Sequence, residues 1–184
     1  MAARVDALDG APQAGIAGFL EALAARRSAP SGGAGAGLSL ATAAALAAMA
    51  ARFADTRMAD AAALAGEADA IRERALVLMD VDAESFAPVL KASRWGDAGA
   101  LEDALEAACE VPLEVLETAL RLCRMGDRLV REGNPRLVGD ARAAVALAAG
   151  AGRAAAALID ENLDGDRDDG LAARTEALVA ALPP

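Results

Sequence analysis

Histidine is absent from the 184 residues, which narrows the chemistry the chain can perform. A histidine-based triad and a histidine-ligated metal are both excluded. Lysine occurs once, at Lys91, and tyrosine not at all. Proton transfer therefore falls to carboxylates whose pKa is displaced by their surroundings, or to a cysteine or that lysine. One acidic stretch falls on a long expected helix, Asp80-Val81-Asp82-Ala83-Glu84-Ser85-Phe86. On a helix Asp80 and Glu84 share a face, whereas Asp82 lies about 200° round from Asp80. One of the two aspartates is thus expected to turn inward with the apolar stripe, where a carboxylate is functional more often than at the surface. The competing reading places all three on a solvated face.

The other polar candidates carry less. Cys109 and Cys123 stand fourteen apart and fit neither a zinc pattern nor a disulfide framework; they read as reduced thiols of a cytoplasmic protein. Asp160-x-Asn162-x-Asp164-Gly165 is a fragment of a calcium loop without its full spacing or terminal glutamate. No metal site and no cofactor are expected. Gly32-x4-Gly37-Leu38-Ser39 has the glycines of a phosphate-binding loop, but no lysine and no preceding strand.

These groups must be held by helices. Strand-type runs of Val, Ile and aromatics are missing, and alanine dominates a composition that is 55% hydrophobic. The expectation is an all-α, up-and-down bundle of about six helices, in one domain over 14–184 after a flexible lead-in at 1–13. The helices are placed at about 14–27, from the glycine stretch to about Phe53, about 57–90, 99–131 with a kink at Pro112, 135–163 and 170–182. Residues 27–53 read as a Gly-rich loop feeding a buried alanine helix, whose free N–H groups offer a seat to an anionic or carbonyl group. Gly133-Asn134-Pro135 reads as a helix stop and restart, with Gly133 at C′, Asn134 as N-cap and Asp140 in the second turn beyond. Residues 164–169 form an acidic turn. The uncharged stretch 34–51 is at the short end of a membrane span and poor in large apolar residues. A formal net charge of −10 argues against a nucleic-acid partner, and no basic amphipathic segment suggests a membrane surface.

Taken in order, Pro30-x-Gly32-Gly33, the small-residue helix to Met49, Asp80-x-Asp82-Ala83-x-x-Phe86, Val111-Pro112-Leu113, Gly133-Asn134-Pro135 with Asp140, and Asn162-Leu163 resemble the formiminotransferase-cyclodeaminase C-terminal domain family. The resemblance spans roughly 14–180. It implies an all-α homodimer with a folate pocket and a reaction at a carbon bridging two nitrogens. That reaction is either cyclisation of a formimino group with loss of ammonia or hydrolysis of a methenyl bridge. It implies Asp82 as the catalytic acid/base, with Pro30, Gly32, Gly33, Asp80, Gly133, Asn134 and Asp140 binding substrate.

The chain departs from the family pattern at Ser31 and Ala34 of the glycine loop, at Leu158, and in a basic and aromatic stretch reduced to Arg52-Phe53 and Arg57. Three functions therefore stay open. The chain is a folate one-carbon enzyme, a divergent member acting on another small molecule, or a non-catalytic helical dimer.

Overall fold

The computed structural model describes residues 15–163 and 169–184; the 1–13 lead-in and residues 164–168 of the acidic turn lie outside them. The described residues form eight α-helices, one 3-10 turn and no strand. They are α1 (Gly15–Ala24), α2 (Gly32–Arg52), α3 (Ala61–Ser85), α4 (Ala87–Trp95), α5 (Ala98–Ala108), α6 (Glu110–Glu132), α7 (Val138–Leu163) and α8 (Asp169–Ala180), with the 3-10 turn at Pro135–Leu137 before α7. The all-α architecture is as expected, and the count rises from six because two expected helices are each divided. Pro88 stands in the first turn of α4. It cannot donate to the carbonyl four residues back, so the helix expected to run to about 90 breaks at Phe86. The 99–131 helix divides at Cys109, which leaves Pro112 in the first turn of α6, where a missing N–H costs little.

Four long helices, α2, α3, α6 and α7, carry the core. Their directions follow from side-chain contacts. A Cβ at Gly37 would meet Met79 and Ala75 of α3, while Arg52 at the other end of α2 pairs with Asp69. So α2 and α3 are antiparallel. Gly32 faces Leu158, and the Phe53 carbonyl accepts from Asn134 Nδ2 at 3.1 Å, so α7 is antiparallel to α2 as well. Gly152 faces Ala119 and Gly126 faces Val145, which sets α6 antiparallel to α7. The N-termini of α2 and α6 and the C-termini of α3 and α7 therefore meet at one end of the bundle.

The sequence makes these helices close-packed. Ala43, Ala44, Ala47 and Ala51 of α2 are fully buried, as are Ala68 and Ala75 of α3 and Ala148 and Ala155 of α7. Larger side chains, Leu40, Ile71, Leu78, Leu116, Leu122 and Ile159, fill the remaining space. By length and composition two helical stretches, Gly32–Arg52 and Pro135–Leu163, could cross a membrane; here α2 lies between α3 and α7 with most of its residues buried.

The glycines of 32–37 lie inside α2 rather than in a loop before it. They serve close approach: an added Cβ at Gly37 would stand 2.7 Å from Met79 Cγ and 3.2 Å from the Ala75 carbonyl oxygen. Ion pairs tie α3 and its N-cap Asp60 to α6, exposed for Arg74–Glu114 and partly buried for Arg128–Asp60. Arg74 reaches Glu114 at 2.7 and 2.8 Å, and Arg128 reaches Asp60 at 2.5 and 3.0 Å. The Arg128 guanidinium holds the Asp60 carboxyl below the usual carboxylate range.

Candidate functional site

Where the four helix ends meet, they enclose a cleft of about 200 Å³. Its wall includes Ser28 and Ser31 before α2, Gly32 and Gly33 in its first turn, Asp82 and Ser85 at the end of α3, Pro112 of α6, and Leu158, Glu161 and Asn162 at the end of α7. Phe86 and Ala108 complete it.

Asp82 is half-buried on this wall, while Asp80 and Glu84 are exposed. The stretch thus divides as helical geometry requires, and the aspartate two positions from Asp80 is the inward one. Its carboxylate lies so close over the Cα of Gly33 that no Cβ could be built there without displacing it. Asp82 Oδ2 accepts from the Ser31 hydroxyl at 2.8 Å, and the carboxylate also accepts the backbone N–H of Ala34. Ser31 occupies the N-cap of α2, yet its own side chain makes no capping bond. Asp82 takes that role from another helix, and a negative charge there also suits the helix dipole. One turn on, Ser85 Oγ donates to the Asp82 carbonyl at 2.9 Å.

Burial pushes the Asp82 carboxyl above the usual range; the donors from Ser31 and Ala34 pull it back only in part. The result is a carboxyl group whose proton is more available near neutrality than that of an exposed aspartate. Among the described residues no Lys or Arg lines the cleft, and the second titratable side chain on its wall is the exposed Glu161. The arrangement suits a positively charged or proton-donating centre, and offers Asp82 as acid and base toward it.

The structure brings together Asp82, Gly32 and Gly33, with buried Pro30, which follows a cis Ala29–Pro30 bond, just before them. Asp80 lies on the exposed side of α3, outside the cleft. Gly133, Asn134 and Asp140 are at the far end of α2. The twenty residues from Gly33 to Phe53 put them roughly 30 Å from Asp82 in the same chain. There Asn134 caps the 3-10 turn, its Oδ1 accepting from Arg136 N at 3.0 Å, and its amide ties that corner to Phe53. Gly133 is not left-handed, with φ −77°; glycine is needed because a Cβ would strike the Leu129 carbonyl. Since α7 starts at Val138, Asp140 falls in its first turn rather than its second, where its charge complements the helix dipole.

Several wall residues went unassigned from sequence. Ser85 had a signal, lying one turn from Asp82, and Ser31 had one as a serine immediately before a helix. Asn162 donates to the Ala108 carbonyl at 3.4 Å and so ties α7 to α5. Glu161 had none. Cys109 and Cys123 are free and buried; burial raises both thiols, Cys123 to about 11.

Taken together, an all-α bundle with a carboxylate cleft at one end defines a class of helical protein in which the site is built from helix termini. Residues 15–181 match the formiminotransferase-cyclodeaminase family model, and the chain belongs to that family. Among solved structures it is similar to the formiminotetrahydrofolate cyclodeaminase of Thermotoga maritima, at 24% identity and a TM-score of 0.82, covering 90% of this chain and 86% of that one. That likeness establishes the fold. No curated protein matches the chain.

Proposed function

We propose that the chain is a folate one-carbon enzyme, a cyclodeaminase or methenyl cyclohydrolase, with Asp82 as its acid/base. The observation that carries this reading is the half-buried Asp82 carboxyl, raised by burial, on a cleft that no basic side chain lines among the described residues. Family membership and the activity for which the Thermotoga protein is named supply the substrate class.

In cyclodeamination N10 of the folate attacks the formimino carbon. Asp82 takes the proton released from N10 and delivers it to the departing nitrogen, which leaves as ammonia. In hydrolysis water attacks the cationic methenyl carbon and Asp82 takes its proton; Asp82 then gives that proton to the ring nitrogen as its C–N bond breaks, and the carbinol O–H releases its proton to solvent to leave a formyl group. In both directions the carboxylate also offsets the positive charge on the one-carbon unit. No cofactor enters either scheme.

The cleft is smaller than the roughly 300–1,000 Å³ usual for small-molecule pockets. It therefore receives the reacting end of a ligand, and the remainder lies outside. That size, with no basic side chain on the wall for an anionic tail among the described residues, favours a second reading in which the same aspartate acts on a smaller non-folate molecule. A homodimer in the cytoplasm is part of the proposal. Ile16, Leu20, Leu76 and Val77 are exposed apolar residues that suit a second copy. If Gly133, Asn134 and Asp140 bind substrate, they do so on a partner's cleft.

The test is incubation with formiminotetrahydrofolate and, separately, with methenyltetrahydrofolate. Ammonia release with a gain of methenyl absorbance identifies a cyclodeaminase, and loss of that absorbance a cyclohydrolase. Neither change, with no heat of binding for mono- or polyglutamyl folate, leaves the second reading.

A further inference from the structure

Ser31 stands where a helix-capping side chain is ordinarily used on its own helix, but its hydroxyl is directed elsewhere. It makes no bond to the first turn of α2 and instead donates to Asp82 Oδ2 across 51 residues of sequence. Among the described residues it is the side chain that hydrogen-bonds this carboxylate. The other two restraints on the group are main-chain features, the Ala34 N–H and the bare Cα of Gly33. Ala34, buried to 1% exposure, has no hydroxyl to substitute. Ser31 itself is exposed and lines the same cleft, so its bond is made at the surface a ligand would meet.

We propose that Ser31 is the positioning residue of the site: its hydroxyl fixes the Asp82 carboxylate against Gly33 in the rotamer that presents it to the cleft. The proposal deepens the acid/base reading of Asp82 and rests on it for its kinetic consequence. A carboxylate torsion left free samples several positions, and displacement of a proton-transfer group by about 1 Å costs on the order of a hundredfold in rate. Removing an O–H donor from the ionised form also shifts titration upward. Among the described residues, Glu161 of α7 is the other titratable side chain on the cleft wall, α2 and α6 contribute none to it, and Asp80 and Glu84 on α3 are exposed.

The test follows the side-chain carboxyl carbon of Asp82 by isotope-edited NMR across pH, assigned with Asp82→Asn, in wild type, Ser31→Ala and Ser31→Thr. Ser31→Ala is expected to raise the midpoint by about one pH unit, and Ser31→Thr, which keeps the hydroxyl, to leave it near wild type. In turnover, Ser31→Ala lowers kcat about tenfold or more with little change in KM, and Ser31→Thr restores it. By linkage Ser31→Ala also melts lower than wild type at pH 7, where the carboxyl is ionised, while Ser31→Thr stays close to wild type. An unchanged midpoint in Ser31→Ala overturns the proposal. The NMR arm needs no substrate: a shifted midpoint in a protein without folate turnover sustains Ser31 as the positioning residue while the folate reading fails.

Discussion

The carboxylate of Asp82 rests on the bare Cα of Gly33, so a residue near the end of α3 and one at the start of α2 are a single unit in space. The glycine is needed there for the room it leaves. Gly33→Ala forces the carboxylate off the position it holds. Alanine is the better helix former by up to about 1 kcal/mol, so the fold should tolerate the change. On the acid/base reading of Asp82, turnover should fall by about a hundredfold as that carboxylate is displaced. Steady-state kinetics with a circular dichroism melt on the same sample checks both halves. A Gly33→Ala enzyme at wild-type rate would show that the contact has no functional weight.

Asp82 also gives a stability signature. Its folded pKa is raised, so the native state binds this proton more tightly than the unfolded chain. As pH rises from the unfolded value of about 3.9 through the higher folded value, the native state loses stability on account of this group. Above that window the buried charge is a net cost. Asp82→Asn, of the same size and uncharged, should therefore melt higher than wild type at pH 7. The difference should shrink as pH falls toward 4. A variant that melts lower at neutral pH would mean the carboxylate is held mainly for structure.

Gly37 probes the packing of α2 on α3. Its neighbours include the Ala75 carbonyl, which cannot move aside, as well as the flexible Met79. Gly37→Val should cost about 1–3 kcal/mol through overpacking, a fall in melting temperature of several degrees in a chain of this size. Gly66, with open space around it, is the control, and Gly66→Ala should be neutral or stabilising. Thermal denaturation of the two variants decides the matter.

The helical class was legible because alanine-rich periodic segments have no other way to bury themselves, and Pro112 and the Gly133-Asn134-Pro135 corner marked real boundaries. Pro88 was the overlooked breaker that divides α3 from α4. The inward turn of Asp82 followed from its angle to Asp80 on the helix. Its partners did not, because Ser31 and Gly33 precede it by about fifty residues and only the antiparallel pairing of α2 with α3 brings them together. The antiparallel pairing of α7 with α2 carries Asn134 and Asp140 to the opposite end, which sequence order could not reveal. Ser31 reads in sequence as a lost glycine, yet in space its hydroxyl donates to the Asp82 carboxylate.

The most direct test of Asp82 as acid/base is a rate comparison between wild type and Asp82→Asn on methenyl- and formiminotetrahydrofolate, followed by methenyl absorbance. Wild type should turn over, and a folded Asp82→Asn protein should do so at a rate at least about a hundredfold lower. Equal rates for the two proteins would contradict the assignment, whatever the substrate.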